Sequence, residues 1–376
     1  MTSEPGSADL IDFTAAVAVA RGAPFAISPL RMEPLRQDEV LVRIVATGVC
    51  ATDAHSRDQE MPVPLPAVLG HEGAGTVTAV GGAVTGVAPG DNVILTFPSC
   101  GSCRQCRLGA PANCLQGFAL SFGCVRADGS SAYEVGGVHG HYFGQSSFAS
   151  YARATERNVV PIGDDMPLAL AGPLGCGIQA GAGTVLNSLA VPVGASLAVF
   201  GTGAVGLAAV MAAAVAGAAT IVAVDVNVVR LGIASELGAT HAIDGRADSL
   251  PRRLHDIAPH GLDYVIEVTG SPAMLGLAVD VLAPMGTAAQ VGGAPFGTKA
   301  PVDMNRLLNG GRIIRGVVQG DSVPQVFIPK LIELYRVGKL PLERLVQEYA
   351  FADINVAFAE AAAGSVIKPV LIMPET

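Results

Sequence analysis

Residues 197–206 read Leu-Ala-Val-Phe-Gly-Thr-Gly-Ala-Val-Gly, and residues 221–225 read Ile-Val-Ala-Val-Asp. The first stretch is an apolar run broken by three glycines at GxGxxG spacing, an alanine-rich run follows it, and the second stretch ends at an acid. This order predicts a strand, a glycine turn, a buried helix and a second strand. Residues 196–224 carry no charge, but the glycine break leaves no continuous apolar helix that could span a membrane.

The glycines have separate roles in a turn that would receive the phosphates of a dinucleotide. Gly201 permits the tight turn, Gly203 lets the backbone approach a pyrophosphate, and Gly206 allows the helix to pack closely on the sheet. Free N–H groups and the positive dipole end at the start of the helix favour the phosphates. The predicted cofactor-binding set comprises Gly201, Gly203, Val205, Gly206, Asp225 and Arg230.

Asp225 closes the second strand, where a carboxylate accepts hydrogen bonds from an adenosine ribose. Its charge would repel a 2′-phosphate, so we expect NAD to be preferred over NADP. Arg230, in the segment that follows, either contacts the adenosine or is a solvated charge on a helix. The sequence leaves both interpretations open.

Further apolar segments at 264–268 and 288–293 predict more strands of the same sheet. They complete a doubly wound parallel sheet, so the fold class is α/β with a Rossmann domain. By contrast, short segments at 40–46, 75–80 and 92–96 are separated by Gly, Pro and loops. They indicate a mostly β domain in the first half of the chain.

The length of 376 residues fits two domains. We expect a mostly β domain at residues 1–180 and 324–376, and an NAD-binding domain at residues 181–323. A final strand at 369–373 would return to pair with the amino-terminal domain.

Two groups of cysteines predict two zinc sites of opposite character. Four of the seven cysteines, separated by two, two and seven residues, suit a closed tetrahedral thiolate site: Cys100, Cys103, Cys106 and Cys114. Cys50 and Cys176 lie far apart on either side of His71, so these three side chains could meet only through tertiary folding. Three protein ligands would leave a fourth position for a substrate.

A disulfide framework is the alternative for clustered cysteines. The chain is long, its cysteine count is odd, and residues Met1–Gly6 lack the basic and apolar regions of a secretory signal. We therefore expect a cytoplasmic protein with free thiolates, in which Cys124 is an ordinary buried thiol. The net charge of −9 disfavours nucleic acids and anionic membranes as partners.

The motifs resemble those of the zinc-containing medium-chain alcohol dehydrogenases over almost the whole chain. Gly70-His71-Glu72 with Gly75, Gly81 and Val84, then the four-cysteine loop, Gly175-Cys176-Gly177 and the glycine turn follow in the order of that family. The resemblance implies a GroES-like catalytic domain, NAD, and two zinc ions per chain, one catalytic and one structural. Cys50, His71 and Cys176 would then hold the catalytic zinc.

The same resemblance implies further roles around that metal. Glu72 would lie behind it, and Asp53 would orient His71 through the other ring nitrogen. Thr52 and His55 would relay the proton of the alcohol through the nicotinamide ribose to solvent. The metal would stabilise negative charge on the alcohol oxygen, after which hydride passes to the nicotinamide.

Three residues depart from the commoner family pattern. Ala51 stands where many members have a basic residue at the pyrophosphate, and Ala180 where a threonine often supports the nicotinamide. Gly293 stands where a bulkier aliphatic residue is frequent. All three changes predict more room or fewer contacts around the cofactor and substrate.

Residues 141–148 and 311–316 look like the aryl-alcohol branch of the family, which oxidises benzylic, cinnamylic and terpenoid allylic alcohols to aldehydes. An apolar, partly aromatic wall would suit such bulky primary alcohols. The candidates for that wall, each of which could instead be core, are Met61, Phe97, Phe118, Tyr142 and Phe143.

Two alternative functions stay open at this point. A thiol-dependent formaldehyde dehydrogenase would use the same zinc and hydride path but would need cationic residues for the thiol's carboxylates. A non-catalytic zinc- and nucleotide-binding scaffold would need neither the relay nor turnover. Relatives assemble through their coenzyme domains, so we expect a homo-oligomer, either a dimer or a tetramer.

Overall fold

The structure is a computed structural model that describes residues 10–133, 137–246 and 249–374. The amino-terminal stretch Met1–Gly6, on which the expected absence of a secretory signal rests, lies outside these residues. The strands in chain order are β1 (Ile11–Ala18), β2 (Ala26–Met32), β3 (Glu39–Gly48), β4 (Ala67–Val68), β5 (Gly73–Val80), β6 (Asn92–Leu95), β7 (Tyr151–Thr155), β8 (Val159–Ile162), β9 (Ser196–Phe200), β10 (Thr220–Asp225), β11 (His241–Asp244), β12 (Leu262–Glu267), β13 (Leu282–Gln290), β14 (Ile313–Gly316), β15 (Val346–Ala350) and β16 (Lys368–Ile372).

The helices in chain order are α1 (Ala51–Arg57), α2 (Arg104–Arg107), α3 (Gly117–Phe122), α4 (Leu168–Ala171), α5 (Gly177–Gly183), α6 (Ala204–Ala216), α7 (Val228–Glu236), α8 (Leu250–Ile257), α9 (Pro272–Asp280), α10 (Met304–Gly310), α11 (Pro324–Arg336) and α12 (Ile354–Ala363). Within the described ranges, no single helix is both long and apolar enough to cross a membrane, and one bent pair, Leu168–Gly175 with Gly177–Ser188, meets the criteria of length and composition.

The chain folds into two compact units. The first comprises Met1–Cys176, Val323–Pro329 and Val346–Thr376, and the second comprises Gly177–Ser322 and Lys330–Leu345. Residues 177–180 and 330–345 therefore pack with the second unit, whereas the boundaries expected from the sequence assign these residues to the catalytic domain.

The first unit is built on β-sheets. Its larger sheet has the strand order β15-β16-β3-β5-β6-β8, with β7 also paired to β3, and a smaller sheet has the order β2-β1-β4. The strand β3 pairs with three others and is buried along most of its length. The predicted return of the chain is confirmed, because β16 runs antiparallel to β3 with Val370 opposite Gly48.

The second unit is a parallel sheet with the order β11-β10-β9-β12-β13-β14. This order places the first strand of the glycine motif, β9, at the centre, as in a doubly wound dinucleotide-binding fold. The predicted α/β fold class is therefore confirmed. The strand predicted over 288–293 was too long at its carboxyl end: β13 stops at Gln290, and Gly292 lies so close to Gly270 that a Cβ atom would stand 2.3 Å from its nitrogen.

A buried ion cluster fixes the start of β3. The carboxylate of Glu39 accepts hydrogen bonds from Arg126 Nε at 2.8 Å, Arg153 Nη1 at 2.9 Å and the Arg36 amide at 2.8 Å. Burial raises the pKa of Glu39, but the hydrogen bonds from Arg126 and Arg36 and the charge of Arg153 outweigh it, and the net pKa is lowered. The cluster joins β3 to β7 and to the segment that carries Arg126.

We expect Glu39→Gln to lower the melting temperature by roughly 6–12 °C at neutral pH. The change removes one charge from a buried cluster, a loss of about 3 kcal/mol, and each kcal/mol is worth about 2–4 °C in a unit of this size. Because the pKa of Glu39 is lowered on folding, Glu39 stabilises the folded protein at pH values above its unfolded-state pKa of about 4.3. This stabilisation is lost as the pH falls. The difference in melting temperature between the wild type and Glu39→Gln should therefore narrow below that pH in calorimetric scans.

Glu348→Gln, at an exposed position of β15, is the control. Equal melting temperatures of the wild type, Glu39→Gln and Glu348→Gln at pH 7 would contradict the prediction.

Candidate active site

The first helix of the first unit starts at a cysteine. Cys50 is the amino-terminal cap of α1, and its amide donates to Asp53 Oδ2 at 3.1 Å. The Asp53 carboxylate is fully buried. Its other oxygen accepts hydrogen bonds from the Gly70 amide at 3.2 Å and from His71 Nδ1 at 2.8 Å. One carboxylate therefore holds the cap of α1 and His71 together.

The ring of His71 presents its second nitrogen to the cysteines. Nδ1 lies against Asp53, so in the neutral ring, the form that can bind a metal, Nε2 carries the lone pair; this buried atom has no hydrogen-bond partner among the residues that the structure describes. Ligand atoms of Cys50, His71, Glu72 and Cys176 all lie within 4.8 Å of one another. A buried imidazole nitrogen without a partner, facing two sulfur atoms, is the donor set that zinc prefers.

Cys176 reaches this place because glycines allow its segment to pack against two strands. A Cβ atom on Gly175 would lie 2.1 Å from the carbonyl oxygen of Leu95, and one on Gly172 would lie 2.3 Å from that of Glu72. Thr96 Oγ1 also donates to the Gly175 carbonyl at 2.8 Å. The thiol of Cys50 has a pKa well below its usual value, because it accepts a hydrogen bond from Cys176 and feels the charges of Lys368 and His71, which outweigh burial.

A buried ion pair stands next to the three predicted ligand residues. Lys368 Nζ donates to both oxygens of Glu72 at 2.9 Å and to the Val49 carbonyl at 3.1 Å. Burial raises the pKa of Glu72 to about 7, although the charge of Lys368 opposes this. A Cβ atom on Gly48 would lie 2.0 Å from Glu72 Oε2, so glycine at this position makes room for the carboxylate.

The four cysteines of the loop also converge. Their Sγ atoms lie within 4.8 Å of one another. The Cys100 amide donates to Cys114 Sγ at 3.3 Å, and the Cys103 amide donates to Cys100 Sγ at 3.4 Å. Amide donors favour thiolate sulfur, so the loop is shaped for a closed metal site. By contrast, burial raises the pKa of Cys124 to about 12, which keeps this thiol protonated.

The glycine turn of the second unit has the geometry that a dinucleotide requires. Gly201 adopts φ = +94°, and a Cβ atom on Gly206 would lie 1.9 Å from the Gly201 carbonyl oxygen. Gly203 caps α6, and a Cβ atom there would have no atom within 4 Å among the described residues. The helix amino terminus is therefore open to a phosphate.

The acid of the motif lies where the sequence predicts. Asp225 ends β10 and accepts hydrogen bonds from the Thr202 amide at 2.6 Å, the Thr202 hydroxyl at 2.8 Å and the Asn227 amide at 2.8 Å. These bonds hold the carboxylate beside the glycine turn. Val205 lies in the first turn of α6 and Arg230 in the first turn of α7.

Comparisons with known proteins decide the family. The profile of the alcohol dehydrogenase GroES-like domain matches residues 36–164, and that of the zinc-binding dehydrogenase matches residues 204–335. The chain belongs to the zinc-binding alcohol dehydrogenases. The resemblance inferred from the sequence is thus confirmed, and zinc and a nicotinamide cofactor are the groups with which this dehydrogenase works.

Individual relatives span the whole dehydrogenase. A geraniol dehydrogenase of Castellaniella defragrans is 44% identical over 368 residues, which is 97% of this chain and 98% of the relative. The crystal structure of benzyl alcohol dehydrogenase from Acinetobacter calcoaceticus has a TM-score of 0.94 and 45% identity, with 97% of this chain and all of the other covered. An alcohol dehydrogenase zinc-binding domain protein from Burkholderia ambifaria has a TM-score of 0.95 and 53% identity, covering 98% of this chain and 100% of the other.

The expected relay residues of the dehydrogenase lie on α1. Thr52 Oγ1 is 3.8 Å from Cys50 Sγ, and the Thr52 carbonyl accepts a hydrogen bond from the Tyr142 hydroxyl at 3.3 Å. His55 is half exposed and contacts Glu60, with 2.5 Å between Nδ1 and Oε2. The structure thus brings Thr52 to the ligand residues and His55 to the surface of the same helix.

Aromatic rings pack around His71. Phe143 stacks on it with the ring centres 4.5 Å apart, and Tyr142 meets it edge-on at 5.9 Å. Both rings are buried, as is Phe97, whereas Phe118 is half exposed and Met61 is partly buried. Of the five residues proposed for the substrate wall, Tyr142 and Phe143 therefore contact the ring of a predicted ligand residue, His71.

Two contacts of the predicted site residues were not found from the sequence. Lys368, the partner of Glu72, is a single cation in the otherwise apolar stretch 366–372. A lone lysine in a buried strand requires a carboxylate partner, so this signal was present. Glu60 carries no comparable signal, because its contact with His55 depends on the shape of one turn.

We expect Asp53→Asn to weaken zinc binding by about 10- to 100-fold, the usual effect of losing the partner of a metal-ligating histidine. The amide keeps the shape of the side chain but removes the negative charge that fixes the tautomer of His71. Competition with a chelating dye, followed by absorbance, measures the change.

Asp38→Asn is the matched control, since Asp38 is an exposed acid of the same unit. An Asp53→Asn protein that binds zinc as tightly as this control would show that Asp53 does not support the ligand set.

Proposed function

We propose that this dehydrogenase oxidises primary aromatic or allylic alcohols to aldehydes and passes the hydride to NAD. The observation that carries the proposal is the meeting of Cys50, His71 and Cys176, with a buried imidazole nitrogen free to bind a metal. Relatives named for geraniol and benzyl alcohol, one allylic and one aromatic, support the substrate class.

The three residues Cys50, His71 and Cys176 would hold the catalytic zinc and leave one position for the alcohol. Zinc there supplies the positive charge that stabilises a negative alcohol oxygen, so that hydride can leave the adjacent carbon. Asp53 keeps the His71 ring in the tautomer that binds metal. Glu72 and Lys368 form a buried ion pair beside it.

A second zinc ion would occupy the four-cysteine loop, giving two per chain. Its Sγ atoms lie close enough together for tetrahedral binding, and all four positions would be filled by protein: Cys100, Cys103, Cys106 and Cys114. This ion would fix the loop and take no part in the reaction. Metal analysis of the purified enzyme should then give two zinc ions per chain.

The cofactor preference follows from Asp225. Its carboxylate lies beside the turn of Gly201 and Gly203 and would accept hydrogen bonds from ribose hydroxyl groups, while its charge would repel a 2′-phosphate. Val205 and Arg230 stay candidates for the same site. NAD rather than NADP is therefore the proposed acceptor.

Thr52 and His55 would move the proton that the alcohol loses. The hydroxyl of Thr52 stands beside Cys50 Sγ, and His55 on the same helix reaches solvent. The hydroxyl would take the proton at Oγ1, and the imidazole would deliver it to water.

The extra room expected at Gly293 and the apolar wall stay predictions. Gly293 has no neighbour within 4 Å of the place where a Cβ atom would stand, counting the described residues. Met61, Phe97, Phe118, Tyr142 and Phe143 stay the candidates for an apolar wall. A conjugated alcohol loses hydride readily, because the carbonyl group that forms is conjugated too.

The decisive measurement is NADH formation with benzyl, cinnamyl, geranyl and ethyl alcohols, with NADP in parallel. We expect turnover to be fastest with the three conjugated alcohols, to fall at least tenfold with NADP, and to disappear after chelation and return with added zinc.

Two results would contradict the proposal in different ways. Turnover only with formaldehyde and a low-molecular-weight thiol would make the chain a thiol-dependent formaldehyde dehydrogenase. Zinc binding and NAD binding without turnover of any alcohol would make it a non-catalytic scaffold.

We also infer that the enzyme is a homo-oligomer joined through β14. This strand is the edge of the parallel sheet, and Ile313 and Ile314 on it are exposed, as are Met304 and Leu308 of α10. An apolar edge strand with open backbone groups favours pairing with a second copy.

Light scattering should give at least twice the chain mass of 38.0 kDa. Ile314→Lys should shift the mass towards a single chain, because it places a charge in the proposed contact. A wild-type enzyme with the mass of one chain would contradict the inference.

A further inference from the structure

The turn that follows α1 folds a carboxylate back onto His55. The Oε2 atom of Glu60 lies 2.5 Å from His55 Nδ1, which is a short hydrogen bond. Both side chains are about half exposed, at 47% and 46%. The cofactor and metal sites described above do not include Glu60.

The backbone, and not only the side chains, sets this contact. Gln59 adopts φ = +60°, a left-handed conformation that reverses the chain directly after the helix. The amides of Glu60 and Met61 then both donate to the His55 carbonyl, at 2.8 Å and 3.1 Å. Gln59 Nε2 closes the turn by donating to the carbonyls of Ser56 and Val63, each at 3.0 Å.

The start of the same helix is fixed by the metal site. The Asp53 carboxylate accepts hydrogen bonds from the Cys50 amide and from His71 Nδ1. The helix α1 therefore has a defined position relative to these two proposed ligand residues. The helix is seven residues long and both its ends are held by hydrogen bonds. Glu60 and His55 are therefore positioned by the same short element that carries Cys50 and Thr52.

We propose that Glu60 is the positioning residue for His55 in the proton transfer that accompanies alcohol oxidation. The proposal rests on the function proposed above. The Glu60 carboxylate accepts a hydrogen bond from Nδ1–H, which fixes this tautomer and leaves the lone pair on Nε2. Nε2 is then always ready to accept a proton from the reaction.

The proton of the alcohol would leave through His55 and Glu60 to water. Oxidation of the alcohol gives its hydride to the nicotinamide and releases the hydroxyl proton. That proton arrives at His55 Nε2 while the Nδ1 proton passes to the Glu60 carboxylate. Since Glu60 is half exposed, it gives its proton to water, and the Nδ1–H tautomer is restored when the imidazole turns or exchanges its protons with solvent.

The competing interpretation is an ordinary surface ion pair, which contributes little to stability and nothing to the reaction. The two interpretations differ in what happens when the carboxylate becomes an amide. A surface pair predicts no change beyond a small effect on stability. A positioning carboxylate predicts a change of the tautomer and of the proton-transfer rate.

The first test is the tautomer of His55 in the zinc-loaded enzyme without nucleotide. Long-range ¹H–¹⁵N spectra of histidine-labelled protein report which ring nitrogen is protonated, and His55→Asn identifies its signals. We expect mostly Nδ1–H in the wild type and in Glu348→Gln, and a mixture of tautomers in Glu60→Gln. This measurement of the tautomer does not require the enzyme to turn over an alcohol.

The second test is the rate of NADH formation in a single turnover with benzyl alcohol. We expect Glu60→Gln to be about tenfold slower, less than the full effect of about 10²-fold or more that a general acid–base group contributes. Added imidazole should restore much of the rate, because an external base replaces the outlet for the proton. Glu60→Asp should retain part of the rate, and Glu348→Gln all of it.

These measurements separate the outcomes. If Glu60→Gln matches Glu348→Gln in both tautomer and rate, the pair is a surface contact and the proposal is wrong. A slower variant that imidazole does not rescue, with an unchanged tautomer, would also overturn it. If the wild type forms no NADH from any alcohol, the proposed function fails, and the tautomer alone decides whether Glu60 positions His55.

Discussion

The catalytic unit depends on one buried carboxylate. Asp53 accepts hydrogen bonds from the Cys50 amide, the Gly70 amide and His71 Nδ1, and thereby locates two residues of the proposed ligand set that are 21 positions apart in the sequence. Burial raises the pKa of this carboxyl, and the charge and hydrogen bond of His71 oppose the rise. A buried negative charge is costly alone, so Asp53 and the cationic centre that it helps to assemble each require the other.

Much of this organisation could be predicted from the sequence, because several motifs encode it locally. The glycine turn between β9 and α6 needs residues without Cβ atoms at fixed positions, and the acid at the end of β10 needs a place beside that turn. The spacing of the cysteines likewise reflects the size of a metal site. In each case chemistry limits the residue type, and the limit is visible without a structure.

The remainder depends on contacts between distant segments, which no local spacing encodes. Glu72 and Lys368 are 296 positions apart, and Glu39 meets Arg126 and Arg153 at separations of 87 and 114. Their pairing follows from how β3, β7 and β16 share one sheet. The carboxyl end predicted for β13 was wrong for a related reason. Residues 291–293 carry no charge and are compatible with a strand, but the close approach of Gly292 to Gly270 is a contact between distant segments, and the strand ends before it.

The pairing of β16 with β3 has a consequence for the way the protein is made. A ribosome releases the residues of β16 only after the segments 177–322 and 330–345, so the second unit can fold while β3 still lacks one of its three partner strands. Until Lys368 arrives, Glu72 has no cation at its side, and the interior of the first unit stays incomplete. Nascent chains would thus pass through a stage in which one half is native and the other half, with its cysteines, needs protection from aggregation and oxidation.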